Sequence, residues 1–133
     1  MNNSQDLKRN LSFVMANLGF GSITNEELNC WVYQIIQQND LLPTFFYDLL
    51  DTKQLSDFEA IVDKRIPEEL KATFTNSEWR ALVGIAYKRG LYTKDNPCDI
   101  CTEKTALKNL EENPHILERF KQTFPFINLE WAD

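Results

Sequence analysis

A hydroxyl followed three residues later by Glu recurs ahead of apolar runs: Thr24 with Glu27, Ser56 with Glu59, and Thr75 with Glu78. In such a capping box the hydroxyl accepts a hydrogen bond from an N–H of the first helical turn. The carboxylate accepts from the N–H of the cap residue, so two donors that a helix start leaves unpaired are satisfied. Ile23 and Phe74, each just ahead of a box, pair with Leu28 and Trp79 as hydrophobic staples. These starts commit the chain to short helices, and the apolar spacing between them decides which faces are covered.

Leu7, Leu11, Val14, Met15 and Leu18 share one face of a helix expected over 4–18, which Gly19 and Gly21 break. Leu28, Trp31, Val32, Ile35 and Ile36 line a second helix over 25–38. Pro43 suits the first turn of a third, with Leu42, Phe45, Phe46, Leu49 and Leu50 inward and Thr44, Tyr47, Asp48 and Asp51 outward. A fourth is expected over 57–64, and Pro67 opens a short fifth through Phe74. A sixth runs over 76–89, where Trp79, Leu82, Val83 and Ala86 form the stripe and Gly90 the stop. A seventh is expected over 100–112, and Asn113-Pro114 caps and starts an eighth that Pro125 closes. Ile127, Leu129 and Trp131 alternate with polar or small residues, the spacing of an extended segment. No hairpin signal or internal repeat intervenes. The expected fold is all-α, a single domain over 1–133 built as an orthogonal array of about seven to eight short helices with a short extended tail.

Composition supports a packed core: 43% of the 133 residues are apolar and 12% aromatic, enough to offset chain entropy. The start Met1-Asn2-Asn3-Ser4-Gln5-Asp6 lacks a basic end before an apolar run, and no apolar run approaches roughly eighteen residues. Neither a signal peptide nor a membrane span is expected, which points to the cytoplasm. Three Cys, an odd number at low density, fit reduced thiols there.

Twenty Asp and Glu against fourteen Lys and Arg give a net charge of −6, which disfavours a phosphate backbone as partner. From Asn10 to Thr52 there is no Lys or Arg, while Glu26, Glu27, Asp40, Asp48 and Asp51 occur. Charge runs of this kind usually solvate helix faces; the alternative is an acidic surface for a basic protein. Residues 67–89 have the outline of a helix-turn-helix, yet Lys88 and Arg89 fall in the last turn and Glu78 in the first, the reverse of a recognition helix.

Side chains that carry chemistry are sparse. Cys98-Asp99-Ile100-Cys101, with Cys30 and His115, supplies the ligand types of a structural zinc site, although only by using every Cys and the sole His. A redox dithiol is the other reading, with Cys98 just ahead of a helix whose dipole favours thiolate. Half-buried reduced thiols are the plainer one. Asp48 and Asp51 stand three apart on one helix face, but no third carboxylate or phosphate loop completes a site. His115 follows Pro114 at a helix start, the positive end of the helix dipole and a poor setting for a general base. No catalytic residue, cofactor or enzymatic activity is therefore expected.

The segments Glu27-Leu28, Trp31, Pro43 and Phe46-Tyr47-Asp48-Leu49-Leu50, with Glu78-Trp79-Arg80-Ala81-Leu82 and Ala86-Tyr87-Lys88-Arg89-Gly90, give the chain a general character. In it the chain resembles the small acidic helical immunity proteins that bacteria keep beside secreted nuclease toxins of contact-dependent and related systems. The resemblance implies a non-enzymatic inhibitor that occludes a basic toxin domain. From the residues themselves, the expected partner-binding set is Tyr47, Asp48, Asp51, Asp57, Glu59 and Asp63, since between Asp40 and Asp63 six acids meet only Lys53. Glu59 is also claimed by its capping box. The alternatives are an adaptor that self-associates or docks a partner helix through Trp131 or another exposed aromatic, and a thiol or zinc protein.

Overall fold

A computed structural model of the chain describes residues 4–51 and 55–132, with the side chains of residues 4, 51, 55 and 132 outside that description. The fold is all-α: seven α-helices and three single-turn 3-10 segments, with no strand among the described residues. Two compact units are distinguished, Met1–Gly19 with Ile23–Ala72, and Phe20–Ser22 with Thr73–Asp133.

In the first unit, α1 (Ser4–Phe20) buries Leu7, Leu11 and Val14 as their spacing predicts, and also Phe13, Ser12 and Asn17. The covered arc is thus wider than one stripe, which is possible because the polar members find partners. The Ser12 hydroxyl accepts the Ala72 N–H at 2.6 Å, and the Asn17 side chain donates to the Phe13 carbonyl at 2.9 Å.

The Thr24 box forms as expected at the start of α2 (Asn25–Gln38), with Glu27 N–H to Thr24 Oγ1 at 3.2 Å and Thr24 N–H to Glu27 Oε1 at 2.9 Å. Leu28, Trp31, Val32 and Ile35 are buried beneath it. At the other end the Asn39 amide donates to the Ile35 carbonyl at 2.8 Å, satisfying an acceptor the helix end would leave open. The third helix is shorter than its apolar pattern suggests: α3 covers only Phe45–Asp48 and tightens into a 3-10 turn, Leu49–Asp51. Three-residue bonds precede it too, from Phe46 N–H to the Pro43 carbonyl and from Tyr47 N–H to the Thr44 carbonyl, both 3.1 Å. Phe45, Phe46 and Leu49 are buried, and α2 packs on α3 and on the turn that follows it.

Two expectations fail in the rest of this unit. Helix α4 spans Leu55–Arg65, so Ser56 lies inside the first turn and is not the cap residue of a box with Glu59. Phe58 and Val62, one turn apart, are its buried seam. The helix expected from Pro67 through Phe74 reduces to a 3-10 turn, Glu68–Leu70, because the chain is extended again at Lys71 (ψ 138°). Too few residues remain before the next cap to repay helix nucleation.

The second unit is built on α5 (Asn76–Lys88), α6 (Glu103–Glu112) and α7 (Pro114–Thr123). The Thr75 box forms, with Glu78 N–H to Thr75 Oγ1 at 3.1 Å and Thr75 N–H to Glu78 Oε1 at 2.9 Å. Gly90 leaves α5 at φ +76°. From Ala81 to Tyr87 every residue of α5 is buried, the mark of a helix covered all round. Its tightest neighbour is α6. A Cβ added at Gly84 would stand 2.6 Å from the Ala106 carbonyl oxygen and 2.9 Å from the Leu110 Cβ, so only glycine admits this approach. Helix α6 starts three residues later than expected, since the Thr102 hydroxyl accepts the Thr105 N–H at 3.3 Å and thereby sets the cap.

Asn113 takes the cap position of α7 but its side chain does not cap the helix. It turns inward and donates to Ser77 Oγ at 2.6 Å and to the Asn109 carbonyl at 2.8 Å. Ser77 in turn donates to Asn109 Oδ1 at 2.7 Å, and Asn109 to the Thr105 carbonyl at 2.7 Å. The buried amides thus join α5, α6 and α7. Beyond α7 the tail does not stay extended: Leu129 is buried, and Glu130–Ala132 close in a 3-10 turn that leaves the Lys88 ammonium 5.9 Å from the Trp131 ring centroid. No helix of the described residues is long and apolar enough to cross a membrane.

Gly84→Ala tests the close approach. Overpacking against a backbone carbonyl outweighs the helix preference of alanine and should cost about 1–3 kcal/mol, read as a lower denaturant midpoint at unchanged slope. Equal or higher stability would show that the two helices separate freely.

Candidate functional site

The residues expected to bind a partner all lie in the first unit, and the fold distributes them. On α3 the buried pair Phe45 and Phe46, with ring centroids 4.9 Å apart, leaves Tyr47 45% exposed and Asp48 exposed beside it. Leu50, expected inward, is 36% exposed. The passage from α to 3-10 winding at Leu49 advances each residue by about 120° instead of 100°, which swings Leu50 away from the core and places it one turn from Tyr47. Asp51 closes that turn, and its side chain lies outside the described residues, as does Lys53.

Asp57, Glu59 and Asp63 are exposed on α4 but do not share a face. Helical spacing puts Asp57 on one flank of the Phe58–Val62 seam and Glu59 with Asp63 on the other. Asp63 is further engaged by Lys71, whose ammonium stands 3.4 Å from it and 2.9 Å from Glu68. The Glu68 hydrogen bond, then Asp63, raise the Lys71 pKa above its ordinary value. The acidic run counted along the chain is therefore partly neutralised by a cation from beyond it. Among the described residues of that set, Tyr47 and Asp48 are the pair exposed side by side on one helix.

The thiols belong to two settings. Cys30 is exposed on the outer side of α2, where the Gln34 amide approaches its sulfur at 3.9 Å. Cys98 and Cys101 lie in the loop before α6, so Cys98 does not stand at a helix start and no dipole acts on it there. One phenol fastens this loop: the Tyr87 hydroxyl accepts the Cys98 N–H at 3.0 Å and donates to the Cys101 carbonyl at 3.4 Å. Cys101 is buried against Val83, Tyr87 and Ala106, with Cys98 and Tyr92 packed around that cluster. Burial, then the neighbouring Cys98, push the Cys101 thiol up, the opposite of what a reactive thiolate requires. Burial likewise pushes Tyr92 up to about 12, with Cys98 contributing. Its hydroxyl donates to the Phe20 carbonyl at 3.1 Å.

His115 meets Glu78, Nε2 to Oε2 at 2.7 Å, joining the first turns of α7 and α5. Glu78 thus serves its capping box and a second helix at once. The Thr75 backbone bond, then His115, hold its carboxyl below the usual glutamate range. Arg80 lies over the Trp79 ring at 5.3 Å, Trp79 stacks on Phe20 at 5.4 Å, and Lys88 is exposed in the last turn of α5. Among the described residues, no group of three or more His, Cys, Asp or Glu side chains is gathered to hold a metal ion. A hollow of about 280 Å³ formed by Lys88, Arg89, Asn128, Glu130 and Trp131 leaves no signal in the sequence, because the tail's final turn creates it. In comparisons with known proteins the chain matches no family model, no curated protein and no solved structure.

A pH consequence follows from Glu78. Its folded pKa is depressed, so its contribution to stability is full above the unfolded value near 4.5 and is lost as pH falls through the folded one. Glu78→Gln should flatten that part of the stability-against-pH curve while leaving its shape above pH ~6 little changed. An unaltered acid limb would remove this carboxyl from the account.

Proposed function

We propose that the chain is a non-enzymatic protein-binding protein, most concretely a bacterial immunity protein that neutralises a basic, nuclease-type toxin by occluding it. The observation that carries this reading is a field of one sign: no Lys or Arg from Asn10 to Thr52, with Glu26, Asp40 and Asp48 exposed on that stretch. Such a field steers a cationic domain into contact and raises its association rate, while affinity comes from what is buried once the two meet. The partner-binding side is the outer face of α3, with Tyr47 and Asp48 exposed on it.

An adaptor that self-associates or docks a partner helix is the second reading. Trp131, 36% exposed where it lines the hollow of about 280 Å³ with Lys88, Arg89, Asn128 and Glu130, favours it. Light scattering on the purified protein separates the two, since a stable dimer without any partner belongs to the adaptor.

The decisive experiment is binding to the product of the neighbouring gene, followed by association kinetics. Asp48→Lys should slow association on the order of tenfold at low ionic strength, with the gap closing as salt shortens the screening length. Equal rates at low salt would exclude this face.

A further inference from the structure

Large apolar side chains that stand exposed among the described residues are few, and four of the six, Tyr33, Leu41, Tyr47 and Leu50, fall between positions 33 and 50. Leu41 is 93% exposed, between Asp40 and the half-buried Leu42. Tyr47 and Leu50 follow one turn apart on the outer side of α3 and its 3-10 extension, over a base of buried Phe45, Phe46 and Leu49. The same stretch lies within Asn10 to Thr52, the longest run of the chain without Lys or Arg. Two independent properties therefore coincide, apolar exposure and one sign of charge. Solubility alone predicts neither, since a solvated surface mixes both signs and keeps aliphatic side chains scattered.

We infer that Leu41, Tyr47 and Leu50 are the anchors on which a cationic protein partner seats, with Asp40 and Asp48 as the charged rim; this rests on the binding reading above and names its energetic centre. Charge complementarity selects the occupant. A symmetric contact between two copies of this chain would bring the Asp40 and Asp48 carboxylates of one copy up to the equally acidic rim of the other, and like charges so placed oppose it. A partner with Lys or Arg around an apolar pocket or side chain meets both features at once. The anchors are also preorganised, because the short turn that carries Tyr47 and Leu50 is held by three buried neighbours and loses little freedom on binding.

A phage-displayed library of random 15-residue peptides selected against the whole protein tests this without knowledge of the natural partner. The expected binders carry Lys or Arg next to a large apolar residue. Tyr47→Ser and Leu50→Ser should each weaken them at least about tenfold, as truncation of an anchor does, and Ile100→Ser, exposed in the other unit, should not. Both anchor side chains are at the surface, and circular dichroism confirms that the variants fold. Basic binders weakened by Asp48→Lys but indifferent to Tyr47→Ser and Leu50→Ser would overturn the anchors and leave the electrostatic reading standing. Binders without positive charge would overturn both. A dimer of the protein that either serine variant abolishes would assign this face to a second copy and defeat the inference.

Discussion

The closeness of α5 to α6 at Gly84 is the constraint on which the second unit turns. With a carbonyl oxygen where a side chain would otherwise stand, the two helices bury α5 over two full turns, and every later element must fit what remains. Polar groups then have to be matched inside the contact. Ser77, Asn109 and Asn113 do this at the start of α5, and the Tyr87 hydroxyl does it near the end. Each of these groups, left alone, would cost about 1–3 kcal/mol of desolvation; paired, they fix which faces of the three helices meet.

Helix starts written in local chemistry were legible. Thr24 and Thr75 cap as their spacing demands, Gly90 stops α5, and Pro114 opens α7, because each acts through groups three or four residues away. What was not legible depends on partners far along the chain. Ser56 looks like Thr24 in sequence, yet the helix passes over it. Asn113 stands ahead of Pro114 as a cap residue should, but Ser77 offers its amide a better use. Pro67 does open a turn, but a single buried leucine, Leu70, anchors it and the helix expected through Phe74 does not follow.

The candidate surface divides along the same line. Tyr47 and Asp48 face outward because Phe45, Phe46 and Leu49 must face in, a consequence of spacing alone. Leu50 escapes the spacing argument, since a change from α to 3-10 winding cannot be read from the pattern of apolar residues. Asp63 escapes it too, because Lys71 lies beyond the run in which its charge was counted.

The phenol of Tyr87 holds the loop of Cys98 and Cys101 at both ends. A loop whose two ends are both tied to one side-chain oxygen has its shape set from outside, and the residues in between, Asp99 and Ile100, are exposed and hold nothing up. Form and composition are thereby uncoupled at this point: the chain can drift freely at two positions, provided a single ring on a neighbouring helix stays where it is.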